Sequence, residues 1–293
     1  MISPDILKQV KAIELRTRGL VTALFTGEYR SVFRGQGMEF AEVRAYEPGD
    51  DFRAIDWNVS ARLASPYVKT YAEERELTLL LVVDQSASTR VGGRVSKSGL
   101  STEVAAVLAL AAAYQNDRVG ALVFTDQVEH VVPPRKGRRH ALRVIRDLVA
   151  FAPAHRGTNL GASLTYAARL LHHRSIVVVL SDFVSSDWER PLRSLASRHD
   201  VVAVTVDDPR EQQLPSVGWV LLQDAETGRQ EFVDTGSARV RELSARKAAR
   251  RKAERERILL SAGVDQLALT AGEDYAPVLH RAFAARARRL KRG

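Results

Sequence analysis

The chain contains no cysteine. Disulfides, thiolate nucleophiles and cysteine-ligated zinc or iron–sulfur centres are thereby excluded, and a reducing compartment is permitted. No apolar run approaches the roughly 20 residues that a membrane helix needs. Met1 to Gly19 scatters Lys8, Lys11, Glu14, Arg16 and Arg18 among its apolar residues, so it lacks the apolar core of a secretion signal. Together these absences give the expectation of a soluble, cytoplasmic protein with no membrane span. A phosphate-binding loop is missing too. The stretch Val91–Gly99 has Ser96, not glycine, before Lys97, and no strand feeds it directly. No zinc-finger spacing or aromatic-basic RNA motif occurs.

What is present is a chain of 293 residues, enough to bury about three quarters of its unfolded surface. Its net charge is +9, but the excess is local. Ser237 to Arg257 holds 9 basic and 3 acidic residues, and Arg281 to Gly293 holds 6 basic and none acidic. The rest of the chain is therefore slightly acidic. Both basic segments read as helices whose charged faces meet solvent; the alternative they leave open is nucleic-acid or anionic-membrane binding.

Along the chain, Ser3-Pro4 starts a helix with Ile6, Leu7, Val10 and Ile13 at helical spacing. Glu39 to Tyr46 and Tyr67 to Tyr71 alternate as short strands around a Pro48-Gly49 turn. Between them, Asp50 to Arg62 reads as a turn and short helix held by local ion pairs, with Trp57 as an anchor. From there strands and helices alternate. The strands are Leu79 to Val83, Val119 to Phe124, Val128 to Val132, Ser175 to Ser181, Val201 to Val206 and Gln266 to Leu269. Helices fall at about 102–114, 138–149, to about 171, 188–197, from 237 and from about 274, and Val217 to Leu222 with Gln230 to Val233 reads as a hairpin. This order implies an α/β fold with a doubly wound, mainly parallel sheet. The expected division is 1–76, an N-terminal helix with a small β-rich extension, and 77–293, the α/β domain.

Three strands share a feature that points to chemistry. Apolar runs end on Asp84, on Asp182 and on Asp207, placing carboxylates at strand ends, where open α/β sheets bind ligands. Asp84 is followed at spacing two by Ser86 and Ser88. Three hard oxygen side chains suit magnesium or calcium better than a soft cation. Thr158, in a Gly-Thr-Asn turn, stands just before a helix, where the plain reading is a capping hydroxyl.

Asp84-x-Ser86-x-Ser88, Thr158 and Asp182, in that order, resemble the metal-ion-dependent adhesion site of von Willebrand factor A domains. Phe33 to Phe40, Tyr46 to Trp57 and Ser60-Ala61-Arg62 resemble the signature of a bacterial domain-of-unknown-function family, number 58. The first resemblance implies a von Willebrand factor A-like fold. It also implies Mg2+, or Mn2+ or Ca2+, held directly by Ser86, Ser88 and Thr158 and through water by Asp84 and Asp182. The second implies a MoxR-type AAA+ ATPase, or the client it remodels, as partner in assembly or maturation of protein complexes. The expected function is a metal-dependent protein–protein interaction module completed by an acidic partner residue, with no catalytic residues. The alternative is a magnesium-dependent hydrolase or phosphotransferase of the haloacid dehalogenase type with Asp84 as nucleophile. Such an enzyme needs an acid two positions on, where Ser86 stands, and a metal hydrolase needs a positioned base, of which the sequence shows none.

Overall fold

A computed structural model describes residues 4–25, 39–63, 65–72, 77–92 and 96–290. They fall into two compact units, Met1–Phe33 with Thr78–Gly293, and Arg34–Leu77. Helix α1 (Pro4–Phe25) opens the chain, its proline in the first turn where a missing N–H costs nothing. Val10 and Ile13 are buried. That apolar stripe seats α1 on helices of the α/β unit, so α1 belongs there and not with the β-rich extension, as the expected 1–76 grouping had it.

In the small unit, β1 (Glu39–Ala45) and β2 (Tyr67–Ala72) pair antiparallel, and Gly49 adopts φ +116° in the expected turn. Of the three carboxylates in the signature, Asp50 takes a two-pronged ion pair from Arg44 at 2.9 and 2.7 Å, the expected kind of role. Asp51 and Asp56 accept backbone N–H groups, from Arg53 at 2.9 Å and from Asn58 and Val59 at 3.0 and 3.2 Å. Asp51 thereby caps a turn at Phe52–Ala54, and Asp56 starts helix α2 (Trp57–Leu63). Trp57 is not an anchor: it is 70% exposed. Phe33 to Met38, the first words of the signature, lie outside the described residues.

The large unit is built on a six-stranded sheet. In chain order its strands are β3 (Thr78–Asp84), β4 (Arg118–Phe124), β5 (Val128–Arg135), β6 (Ile176–Ser181) and β7 (Asp200–Asp207). After the separate antiparallel hairpin β8 (Trp219–Gln223) and β9 (Gln230–Asp234) comes β10 (Asp265–Thr270). The spatial order is β10-β7-β6-β3-β4-β5, parallel throughout except for β4 against β5. The chain runs outward from β3 to β5, then returns to the other side of β3 and runs outward again. Strand order thus reverses beside β3, and the carboxyl ends of β3 and β6 flank the crevice.

Helices cover both faces. The four-residue α3 (Ala87–Arg90) follows β3, then come α4 (Lys97–Tyr114), α5 (Arg138–Val149), α6 (Leu160–Leu170) and α7 (Glu189–Ala196). The short α8 (Pro209–Gln212), α9 (Ala238–Ser261) and α10 (Ala276–Leu290) complete the set. On one face Leu80, Val82, Val177 and Val179 meet Leu160, Leu164, Leu192, Leu195 and Leu259 in a single core. Alternate residues Leu79, Leu81 and Val83 are equally buried, which is why these strands read as unbroken apolar runs. Each such leucine contributes about 1.5–3 kcal/mol by leaving water. The alanines of α4 let it lie close against the sheet with α1 and α5 over it.

Candidate functional site

Asp84 ends β3 fully buried. One step past the Val83–Leu180 pairing it meets Ser181, whose hydroxyl donates to Asp84 Oδ2 at 2.6 Å. The Ser86 N–H donates to Oδ1 at 2.9 Å, folding the chain back so that the Ser86 and Ser88 hydroxyls lie 3.0 Å apart. Burial, reinforced by the negative charge of Asp182, raises the Asp84 carboxyl to about 7, against the pull of the Ser181 and Ser86 hydrogen bonds.

Asp182 follows β6 and is also buried. Its Oδ1 accepts the Val184 N–H at 3.1 Å and its Oδ2 accepts Lys97 Nζ at 2.8 Å. The sequence pattern places Lys97 in a loop ahead of a helix expected to start near Thr102. It is instead the first residue of α4, capped by Ser96, whose Oγ accepts the Gly99 N–H at 3.0 Å. Only 1% exposed, its ammonium also donates to Glu211 Oε1, at 2.6 Å. Burial pulls this ammonium down, yet Asp182 and Glu211 together hold it above the usual lysine value. Sequence reasoning missed it because lysine is almost never fully buried unless paired. Arg255, read as part of a solvated basic face, is buried as well. It forks onto Asp207 at 2.9 and 2.8 Å and donates to the Asp182 carbonyl at 2.9 Å.

Thr158 is not the cap of α6. Asn159 is: its Oδ1 accepts the Ala162 N–H at 3.0 Å. The Thr158 hydroxyl is thereby released from capping and donates at 2.5 Å to Oε1 of Glu226, a carboxylate in the β8–β9 turn that no local pattern places here. Backbone bonds tie the loops together. Ala87 N–H donates to the Arg156 carbonyl at 2.8 Å, joining the Ser86–Ser88 loop to the Thr158 loop. Gly161 lies so close to the loop after β6 that a Cβ would stand 2.6 Å from the Asp187 carbonyl oxygen, so only glycine fits without a shift.

The Ser86 and Ser88 hydroxyls are spaced as two ligands of a hard cation would be. An octahedral magnesium with bonds of about 2.1 Å has edges of about 3.0 Å, which the two serine hydroxyls match. Every donor is oxygen. The carboxylates Asp84, Asp182, Asp207, Glu211 and Glu226 outnumber the buried cations Lys97 and Arg255 in this linked set, leaving a negative excess that favours a divalent ion. Among the described residues no group of three or more histidine, cysteine, aspartate or glutamate side chains is placed to hold a metal, so any metal here depends on the hydroxyls.

The family model described as "Protein of unknown function DUF58" matches residues 42–254. An uncharacterized protein of Mycobacterium tuberculosis is 34% identical over 97% of this chain and 91% of its own length. The uncharacterized protein YeaD of Bacillus subtilis is 29% identical over 37% of this chain and 25% of its own. Among solved structures, the conserved hypothetical protein BatB from Bacteroides thetaiotaomicron is 14% identical, with TM-score 0.48, over 74% of this chain and 100% of that one. An aerotolerance-related membrane protein from Bacteroides fragilis is 16% identical, with TM-score 0.49, over 73% and 99%. In this chain no described helix is long and apolar enough to cross a membrane. With the family model spanning most of the chain and a relative matching nearly all of it, the protein belongs to the DUF58 family.

Proposed function

We propose that the chain is a metal-dependent protein-interaction module with a von Willebrand factor A-like α/β domain, working in the cytoplasm. The observation that carries this reading is the Ser86–Ser88 hydroxyl pair beside buried Asp84 at the point where strand order reverses. Ser86, Ser88 and Thr158 would hold Mg2+, Mn2+ or Ca2+, with Asp84 and Asp182 supplying charge from behind. The bound ion supplies an electron-poor centre that attracts a carboxylate. The chain's own residues order the loops: Ser181 orients Asp84, Lys97 orients Asp182, and Asn159 leaves Thr158 available. The partner is a protein offering an aspartate or glutamate, and a MoxR-type AAA+ ATPase or its client is the class that the family resemblance implies. A nucleophilic Asp84 has less support, because both its oxygens accept hydrogen bonds from the chain and Ser86 stands where an acid is needed.

The test is partner affinity in the parent and in the Ser86→Ala/Ser88→Ala variant, each with magnesium and with chelator. Losing a charge contact in a desolvated interface costs about 2–5 kcal/mol, at least about thirtyfold in affinity. Chelator is expected to weaken the parent by that factor, and the variant is expected to match the chelated parent under both conditions. Equal affinity in all four cases contradicts the proposal.

A further inference from the structure

The contact between Thr158 and Glu226 has a consequence for how the site is regulated, and it rests on the metal reading above. Glu226 sits at the tip of the β8–β9 hairpin, in a turn whose shape does not depend on its side chain. Asp224 Oδ1 accepts the N–H groups of Glu226 at 3.0 Å and Thr227 at 2.7 Å, and the Asp224 N–H donates to the Arg229 carbonyl at 2.8 Å. Gly228, at φ +73°, completes the turn. From this tip the Glu226 carboxylate accepts the hydroxyl proton of Thr158, one of the five candidate site residues.

Among the described residues, no apolar side chain of the hairpin's strands is fully buried, and the paired Val220 and Val233 are half-buried. Trp219 is 71% and Phe232 70% exposed. Leu221, opposite Phe232 in the register, is exposed as well. A two-stranded hairpin without a buried face is marginal by itself. At its base Arg241 donates to the carbonyls of Thr235 and Gly236 at 2.7 and 2.8 Å; at its tip Glu226 reaches Thr158.

We propose that Glu226 is a resident carboxylate ligand of the candidate metal site, carried on a displaceable hairpin, and that an acidic partner residue binds by displacing it. A carboxylate within hydrogen-bond reach of a ligand hydroxyl is already where a bound cation attracts it. Because it is tethered, it competes at an effective concentration on the order of millimolar. A weak free carboxylate is thereby excluded, and a partner needs contacts beyond the metal to open the site.

The experiment uses the full chain, Mn2+ as probe, and Glu226→Ala, which leaves the turn's backbone bonds intact. Manganese affinity and the number of water molecules directly on the ion are measured by electron paramagnetic resonance and electron spin-echo spectroscopy in deuterated water. Binding of an acidic probe peptide, acetyl-Gly-Asp-Gly-amide, to the manganese-loaded protein is measured alongside. The variant is expected to bind Mn2+ more weakly, to carry one more water on the ion, and to bind the peptide about tenfold more tightly than the parent, since the tethered competitor is gone. An unchanged water count with manganese bound overturns this inference, even if affinity falls, since Glu226 would then only accept the Thr158 proton. Manganese affinity that is equal or tighter in the variant overturns it too, and so does unchanged peptide affinity. Absence of manganese binding in the parent overturns the metal reading itself, an outcome distinct from the others.

Discussion

Replacing Lys97 by methionine is expected to destabilise the metal-free protein by about 3–5 kcal/mol, the usual cost of stripping one partner from a buried ion pair. The same change is expected to tighten magnesium binding at least about tenfold, which corresponds to only about 1.4 kcal/mol. Both effects follow from one geometry. Lys97 Nζ lies 2.8 Å from Asp182 Oδ2 and 2.6 Å from Glu211 Oε1. Asp182 is as buried as the lysine, and its carboxylate loses the one cation described in contact with it, whereas half-exposed Glu211 turns to water. A unit charge at about 4 Å is worth about 4 kcal/mol at an effective dielectric of 20. Removing a competing cation from beside the ion therefore exceeds the tenfold threshold even after substantial screening. Urea unfolding with and without magnesium reads both numbers, since a ligand that binds only the folded state adds stability by mass action. Lost stability with unchanged magnesium affinity would mean that Asp182 serves the fold alone.

Asp84→Asn is expected to stabilise the metal-free protein at pH 8 while abolishing tight metal binding. The folded-state value of Asp84, about 7, lies above its ordinary value, so the folded protein binds this proton more tightly than the unfolded chain does. Its stabilising contribution is complete below about pH 4 and is lost as pH rises to about 7. Some three units at about 1.36 kcal/mol each make the loss of order 4 kcal/mol. Asparagine has no charge to bury, accepts the Ser86 N–H in the same way and donates to the Ser181 oxygen. The stability difference between variant and parent should therefore be small at pH 4 and grow through pH 7. With metal present the sign reverses for the parent, because the ion requires the carboxylate. Magnesium affinity should fall about tenfold per pH unit below 7. A stability difference independent of pH would show that Asp84 is ionised throughout.

How much of this was legible in the sequence depends on the range of the interaction. Strands β3 and β6 were legible as unbroken apolar runs because helices bury both of their faces, and Asp84 and Asp182 followed as the residues that end them. Helix α5 was legible to the residue, since its apolar stripe of Ala141, Val144, Ile145 and Leu148 alternates with charge. The start of α4 was not. Ser96-Lys97-Ser98-Gly99 has weak helix propensity, and what holds its first turn is the pairing of Lys97 with carboxylates 85 and 114 residues away. Thr158 and Asn159 both cap helices well, so local sequence did not choose between them. Glu226 stands 68 residues from Thr158, and no periodicity reports such a meeting. Arg255 looked like one more cation on a basic helix because its partner Asp207 lies 48 residues back, at the end of β7.

The measurement that tests the central claim most directly is calorimetric titration of Mg2+ into metal-free protein at pH 8, for the parent and for Ser86→Ala/Ser88→Ala. The account predicts one ion per chain in the parent and at least about thirtyfold weaker binding in the variant. Both metal-free proteins should unfold in one cooperative transition, because both hydroxyls lie beyond the strand, with the variant's at a somewhat lower temperature because the buried Ser86 hydroxyl also hydrogen-bonds Asp84. No magnesium binding by the parent, or equal binding by the two proteins, would contradict it.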